Sequence, residues 1–173
     1  GAGQTVTIAG ATINTTAATL PFVLDVQQIA GDANTLVGSG LPAVRDTTKY
    51  WNIAQLTGTP PTVDLTLTYP DSAFATPDGR IYRYTGSNWV IAPTFGSVNA
   101  AGNPNIVTHT GVNTFGNFAV AQFTCTYSLG ATDTLIPAAG AANQLVAVVS
   151  DTGCAWTATS TVGWITFDVA AGT

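Results

Sequence analysis

Three observations on this sequence predict an all-β fold of the sandwich type. Thr, Val, Ile, Tyr, Phe and Trp cluster in short runs separated by Gly, Pro, Asn and Asp, the composition that a pleated, half-buried surface selects. The run Thr62-Val63-Asp64-Leu65-Thr66-Leu67-Thr68-Tyr69 alternates strictly, with an apolar face of Val63, Leu65, Leu67 and Tyr69 and a polar face of Thr62, Asp64, Thr66 and Thr68. The common surface helix formers are nearly missing: there is no Met, every one of the nine acids is Asp, and Lys49 is the single lysine.

The other elements follow in order. Thr5-Val6-Thr7-Ile8-Ala9 sets Val6 and Ile8 against Thr5 and Thr7 and reads as the first strand. Leu20-Pro21-Phe22-Val23-Leu24-Asp25-Val26 holds Phe22, Leu24 and Val26 on one face, with Pro21 suited to a strand start or an edge. Residues 30–45, rich in Gly, Ala and Asn, read as a long loop. Lys49-Tyr50-Trp51-Asn52-Ile53-Ala54 is the next strand, and Gly58-Thr59-Pro60-Pro61 forces a break after it. Arg80-Ile81-Tyr82-Arg83-Tyr84 and Trp89-Val90-Ile91-Ala92 form a hairpin about Thr85-Gly86-Ser87-Asn88. Ile106-Val107-Thr108-His109 and Phe115-Gly116-Asn117-Phe118-Ala119-Val120-Ala121 make a further pair. Short strands at fairly regular spacing indicate a sandwich. The vocabulary changes at Gln122-Phe123-Thr124, which divides the chain into domains 1–122 and 123–173.

Composition narrows function. Hydrophobic residues make up 46% of the chain and charged residues 8%, which excludes a disordered chain. Ordinary soluble domains carry roughly 25% charged residues. So weakly charged a surface suggests that other subunits cover part of it. The bases are Arg45, Lys49, Arg80 and Arg83, the net charge is -5, and no basic patch for nucleic acid can be assembled from them. No window is apolar for the roughly 18 residues of a membrane span. The first residues carry neither the charged nor the apolar region of a secretion leader; a secreted chain would have lost it already.

Catalytic chemistry finds no purchase. His109 is the single histidine, too few for a zinc site, and no Gly-x-Ser-x-Gly elbow accompanies it. Phosphate and dinucleotide glycine motifs are missing. Asp71 and Asp78 share one loop and could hold Ca²⁺ with backbone oxygens, but their spacing is not that of an EF-hand and Asp is common in turns. The expectation is a non-enzyme with no cofactor and no metal. Trp51 and Trp89 are the candidates for an exposed aromatic ligand surface, such as one that stacks on sugar rings. Asn14-Thr15-Thr16 matches a glycosylation triplet, a pattern that arises by chance in a Thr-rich chain. Cys125 and Cys154 suffice for one disulfide, which would close a loop of about 30 residues and contribute roughly 3–4 kcal/mol; two buried free thiols are the alternative.

Cys125, Tyr127 and Ser128, then Gly140, Val146 and Val148, then Gly153-Cys154-Ala155-Trp156-Thr157-Ala158-Thr159-Ser160 and Trp164-Ile165-Thr166 follow one another in a specific order and spacing. This segment of about fifty residues resembles the first half of a BACON domain, a family of immunoglobulin-like sandwiches in secreted bacterial proteins, often beside carbohydrate-active modules. The resemblance implies an extracellular or cell-surface protein, a Cys125–Cys154 disulfide, and Trp156 and Trp164 in the sandwich core. A BACON domain normally continues with further strands, whereas this chain stops at Ala170-Ala171-Gly172-Thr173, so the second sandwich is expected to be incomplete within the chain. The segment from Trp51 to Ala121 resembles, more generally, immunoglobulin-like domains of bacterial surface proteins. Together these imply two immunoglobulin-like sandwiches.

The expected function is that of a structural subunit of an extracellular bacterial filament or surface assembly, a head-to-tail homopolymer joined by strand complementation. The candidate donor strand is Gln4, Thr5, Val6, Thr7 and Ile8 within a segment reaching Ile13, unless that strand pairs inside its own domain. The alternative function is a carbohydrate-binding or adhesive module of a larger secreted protein.

Overall fold

A computed structural model describes residues 3–19, 21–74, 79–99, 104–130, 146–151, 154–163, 165–166 and 171–172. The chain divides into two compact units, Gly1–Phe123 and Thr124–Thr173.

The first unit is an all-antiparallel β-sandwich. Its strands are β1 (Thr5–Ile8), β2 (Ala11–Ala17), β3 (Val23–Ala30), β4 (Lys49–Thr57), β5 (Thr62–Tyr69), β6 (Gly79–Tyr84), β7 (Trp89–Ile91), β8 (Phe95–Asn99), β9 (Asn105–Val112) and β10 (Gly116–Gln122). One five-stranded sheet runs β1-β2-β5-β9-β8 and the other β3-β4-β10-β6-β7. The alternation in β5 has the expected consequence: Val63, Leu65, Leu67 and Tyr69 are buried and the residues between them are not. They meet Val107 and Val112 of β9 and, from the second sheet, Trp51, Ile53, Ile81, Phe118 and Val120. Each such burial contributes roughly 1.5–3 kcal/mol, and this shared apolar layer holds the sheets together. On the solvent face of the first sheet, Thr66 and Thr108 face each other and share a 2.7 Å hydroxyl bond, a cross-strand pair of the kind that stabilises a sheet.

Two strands, β2 and β8, have no clear alternation in the sequence. In β2 only Ile13 is a large apolar residue, yet Ala11, Ile13 and Thr15 are all buried, because β5 lies alongside in the register Ile13↔Leu65. β8 contains Gly96 and Ser97 and a register shift, and pairing with β9 alone makes it a strand.

Residues 31–45 form the expected loop, but one with a structural task. The second sheet also carries apolar side chains on its outer face, where Tyr50, Tyr82, Trp89, Ala119 and Ala121 cluster with Ala33, Leu36 and Leu41 from the loop. The loop is stitched down by backbone bonds from Trp89 N–H to Ser39 O (2.7 Å), from Gln122 N–H to Val44 O (2.8 Å) and from Asp46 N–H to Val120 O (2.9 Å). The Tyr84 hydroxyl donates to Val37 O. Gly40, at φ 91°, lies so close to Trp89 O that a Cβ there would collide with it. Arg45 grips Asp32 with two 2.7 Å bonds, closing the base of the loop and holding the Asp32 carboxyl below its ordinary range.

The second unit is smaller. β11 (Tyr127–Leu129) pairs with β12 (Val148–Ser150), and β13 (Trp156–Thr157) pairs with β14 (Ala171–Gly172), each as a two-stranded sheet. The Cys125–Cys154 disulfide spans 5.7 Å between Cα atoms. Around it, the Asp151 carboxylate accepts from the Thr126 N–H (3.0 Å) and hydroxyl (2.6 Å), and the Tyr127 hydroxyl donates to Ala155 O (3.0 Å).

Candidate functional site

The two tryptophans expected to face a ligand are both buried, and this corrects the sequence expectation. Trp51 points into the main core, where it is wholly inaccessible, and its Nε1 donates to Ala9 O at 3.1 Å. Trp89 points to the opposite side of its sheet, but the 31–45 loop covers it. A ring without an exposed face cannot stack on a sugar, so neither residue forms a ligand surface in this structure. The missed signal is the pair Leu36 and Leu41, the apolar residues that let an otherwise polar loop pack on aromatic rings.

His109 lies inside β9 rather than at its end, and it is fully buried. Its Nδ1 donates to the carbonyls of Ala92 (2.9 Å) and Pro93 (3.2 Å), and its Nε2 accepts from the Ile81 N–H (3.2 Å). The ring therefore links the first sheet to β6 of the second. Burial pushes its pKa down from 6.5 to about 4, against the opposing pull of the two carbonyls, with nearby Arg80 adding to the fall. Among the described residues its hydrogen bonds all go to main-chain groups, and the lowered pKa leaves the ring uncharged at neutral pH.

Among the described residues, no group of three or more His, Cys, Asp or Glu could hold a metal ion. Asp71 begins a short turn, Asp71–Ala73. Asp78 lies outside the described residues, as do Gly140, Gly153 and Trp164. Trp156 is half-buried, close against Gly172. No helix among the described residues is long and apolar enough to cross a membrane.

The segment Gln4 to Ile13 is not one extended donor. It is a hairpin: Thr5↔Asn14, Val6↔Ile13, Thr7↔Thr12 and Ile8↔Ala11 pair across a two-residue turn. Ala9 (φ 49°) and Gly10 (φ 79°) both adopt the left-handed conformation that such a turn requires. The turn is anchored by Trp51 at Ala9 O and by the Thr68 N–H at Gly10 O (3.0 Å), and a Cβ on Gly10 would run into the Thr68 hydroxyl. Among the described residues β1 is nevertheless bound on one side only. Every residue of it is exposed, Val6 at 51% and Ile8 at 43%. The Thr15 N–H bond to Gln4 O (2.8 Å) sets the alternation, which leaves the N–H and C=O of Thr5 and Thr7 facing away from β2.

The second unit shows a larger unpartnered surface. On β11, Tyr127 and Leu129 share one face and are 53% and 55% exposed; on β12, Val149 is 59% exposed. Among the described residues no third strand joins this ribbon. A two-stranded sheet alone is marginally stable in water, and exposed apolar side chains beside open strand edges invite a further strand.

No protein-family profile matches the chain, and neither does any curated protein or solved structure.

Proposed function

We propose that this chain is a non-catalytic building block of an extracellular bacterial assembly, joined to other copies by strand addition. The observation that carries the reading is the β11–β12 ribbon, a two-stranded sheet with Tyr127, Leu129 and Val149 left open to water. A strand laid along its edge would satisfy main-chain groups and set its own apolar side chains beside Tyr127 and Leu129 on one face or Val149 on the other. β1 is the donor of choice. It is short, uncharged and alternating, and it buries no side chain in its own unit, so its release costs the ladder to β2 and the turn but opens no core. The resemblance of 123–173 to the first half of a BACON domain, an immunoglobulin-like sandwich, supports an acceptor that takes further strands. The scarcity of charge supports a surface that is covered by neighbours. A donor at one end and an acceptor at the other make a heterologous contact, which propagates as an open filament unless its rotation closes a ring.

Electron microscopy and light scattering of the full chain test this. The expected result is concentration-dependent linear polymers for the intact protein and monodisperse particles after deletion of residues 1–8, which spares the Ala9 and Gly10 carbonyls bonded by Trp51 and Thr68, with the thermal midpoint of the sandwich nearly unchanged. An intact protein that stays monomeric, or a deletion variant that polymerises equally well, overturns the reading.

A further inference from the structure

In an antiparallel ladder only alternate residues turn their N–H and C=O towards a given neighbour. Residues that face each other across such a bonded pair carry their side chains on the same face of the sheet. The phase of the main-chain bonds at an open edge therefore fixes which side chains a new strand will meet there.

In the 124–173 unit that phase follows from the bond that the Gly130 N–H donates to Ala147 O (2.8 Å). It makes Ser128 and Val149 the next bonded pair and turns the N–H and C=O of Tyr127 and Leu129 away from β12. Among the described residues no strand takes them. Tyr127 and Leu129 are also the large apolar residues of β11, 53% and 55% exposed. On the far edge of β12 the outward groups belong to Val148 and Ser150, so one of its two bonded positions is a serine. The β11 edge is the better acceptor, because the same residues offer free main-chain groups and open apolar side chains. It calls for a strand with apolar residues at alternate positions.

β1 has that spacing in Val6 and Ile8. Its free edge, however, has the opposite phase. The bond from Thr15 N–H to Gln4 O turns Val6 and Ile8 towards β2 and leaves Thr5 and Thr7 outermost. Docked by that free edge, without leaving its sheet, β1 sets Thr7 opposite Tyr127 and Thr5 opposite Leu129, with Val6 and Ile8 on the other face. Docked by the edge it now presents to β2, it sets Val6 opposite Leu129 and Ile8 opposite Tyr127. Val6 and Ile8 then give up Ile13 and Ala11 as main-chain partners and gain Leu129 and Tyr127. β2 becomes the edge of its sheet, with its freed groups in water. The gain is apolar contact: four side chains that stand open to water in separate copies cover one another.

Resting on the reading of strand addition between copies, we propose that β1 leaves β2 and pairs antiparallel with β11 of a second copy, Val6 opposite Leu129 and Ile8 opposite Tyr127. The joint is a strand exchange at one edge and in one register, and not an abutment of two folded edges.

Cysteine crosslinking between copies decides it. In the proposed register Thr7 stands opposite Ser128 in a non-bonded pair, where side chains lie closest; docking by the free edge puts Val6 there instead. All three residues are exposed, so replacing them leaves both units folded. Copies with Thr7→Cys are mixed with copies with Ser128→Cys and oxidised with diamide, once intact mass has shown the Cys125–Cys154 bond in each. Covalent dimers should form about fivefold faster than from Val6→Cys mixed with Ser128→Cys, since only the closest pair crosslinks readily. The amide hydrogens of Ala11 and Ile13, which β1 protects in the monomer, should exchange faster in polymers. Polymers that crosslink faster through position 6, or equally through both positions, or that keep those amides protected, overturn the exchange and leave strand addition standing. An intact protein that forms no polymers overturns both.

Discussion

Replacing Cys125 and Cys154 together by Ser is expected to unfold the 124–173 unit and to leave the 1–123 sandwich folded. The unit has some fifty residues, a size at which a hydrophobic core rarely supplies more than about 3–5 kcal/mol. The disulfide joins positions 29 residues apart, and in the chain-entropy model a loop of that length is worth roughly 3–4 kcal/mol. Its removal therefore cancels most or all of the net stability of this unit. The local contacts cannot compensate, because they depend on the same crosslink. Thr126, bonded to Asp151, follows Cys125 directly, and Ala155, which accepts from Tyr127, follows Cys154. Limited proteolysis with intact-mass readout is the direct check. The variant should be trimmed rapidly to a fragment ending near Phe123, while the oxidised wild type resists. Equal protection of both would show that the unit is held by something other than the disulfide.

Acid should weaken the first unit as the pH falls from 6.5 towards 4, through His109. The folded pKa is depressed, from 6.5 to about 4, so the unfolded chain binds a proton across that interval while the folded chain does not. Stability is then fully present above pH 6.5 and falls as the pH drops towards 4. The fall amounts to about 3 kcal/mol, at roughly 1.4 kcal/mol per unit of pKa difference. For a unit of this size that corresponds to a decrease in Tm of about 10 °C. The physical cause is burial, which disfavours the charged ring; once protonated, Nε2 would also become a donor facing the Ile81 N–H, itself a donor. Since His109 is the single histidine, the assignment is clean. His109→Gln should lower stability at pH 7.5 and flatten the dependence of Tm on pH between 6.5 and 4. A variant with the same pH slope as wild type would place the acid sensitivity elsewhere.

How much of this was legible depended on whether a feature is local. The alternation of Thr62 to Tyr69 sorts its side chains onto two faces by backbone geometry alone, so one glance at the sequence suffices for β5. The pattern of β1 was equally plain, but the hairpin that folds it back was not, since it rests on Ala9 adopting a left-handed conformation that Trp51 and Thr68 then anchor. β2 is not legible in the sequence, because Ala11 and Thr15 are not recognisable core residues until β5 lies beside them. The alignment of Gln27, Asn52 and Asn117 across β3, β4 and β10 is hidden for a similar reason: they are far apart in the chain and meet only through strand register.

By itself the sequence determined the all-β class, the alternating faces of the strongest strands, the lack of catalytic motifs and the pair of cysteines. These are properties of neighbouring residues or of composition. Only the tertiary structure decided which of those faces is covered. Tyr50 and Trp51 are adjacent, point to opposite sides of β4 and are both buried, one beneath the 31–45 loop and the other in the sandwich core. Nothing local distinguishes a covered face from an open one, because the cover is supplied by residues distant in sequence: Leu36 and Leu41 on one side, and Val63, Leu65 and Leu67 on the other.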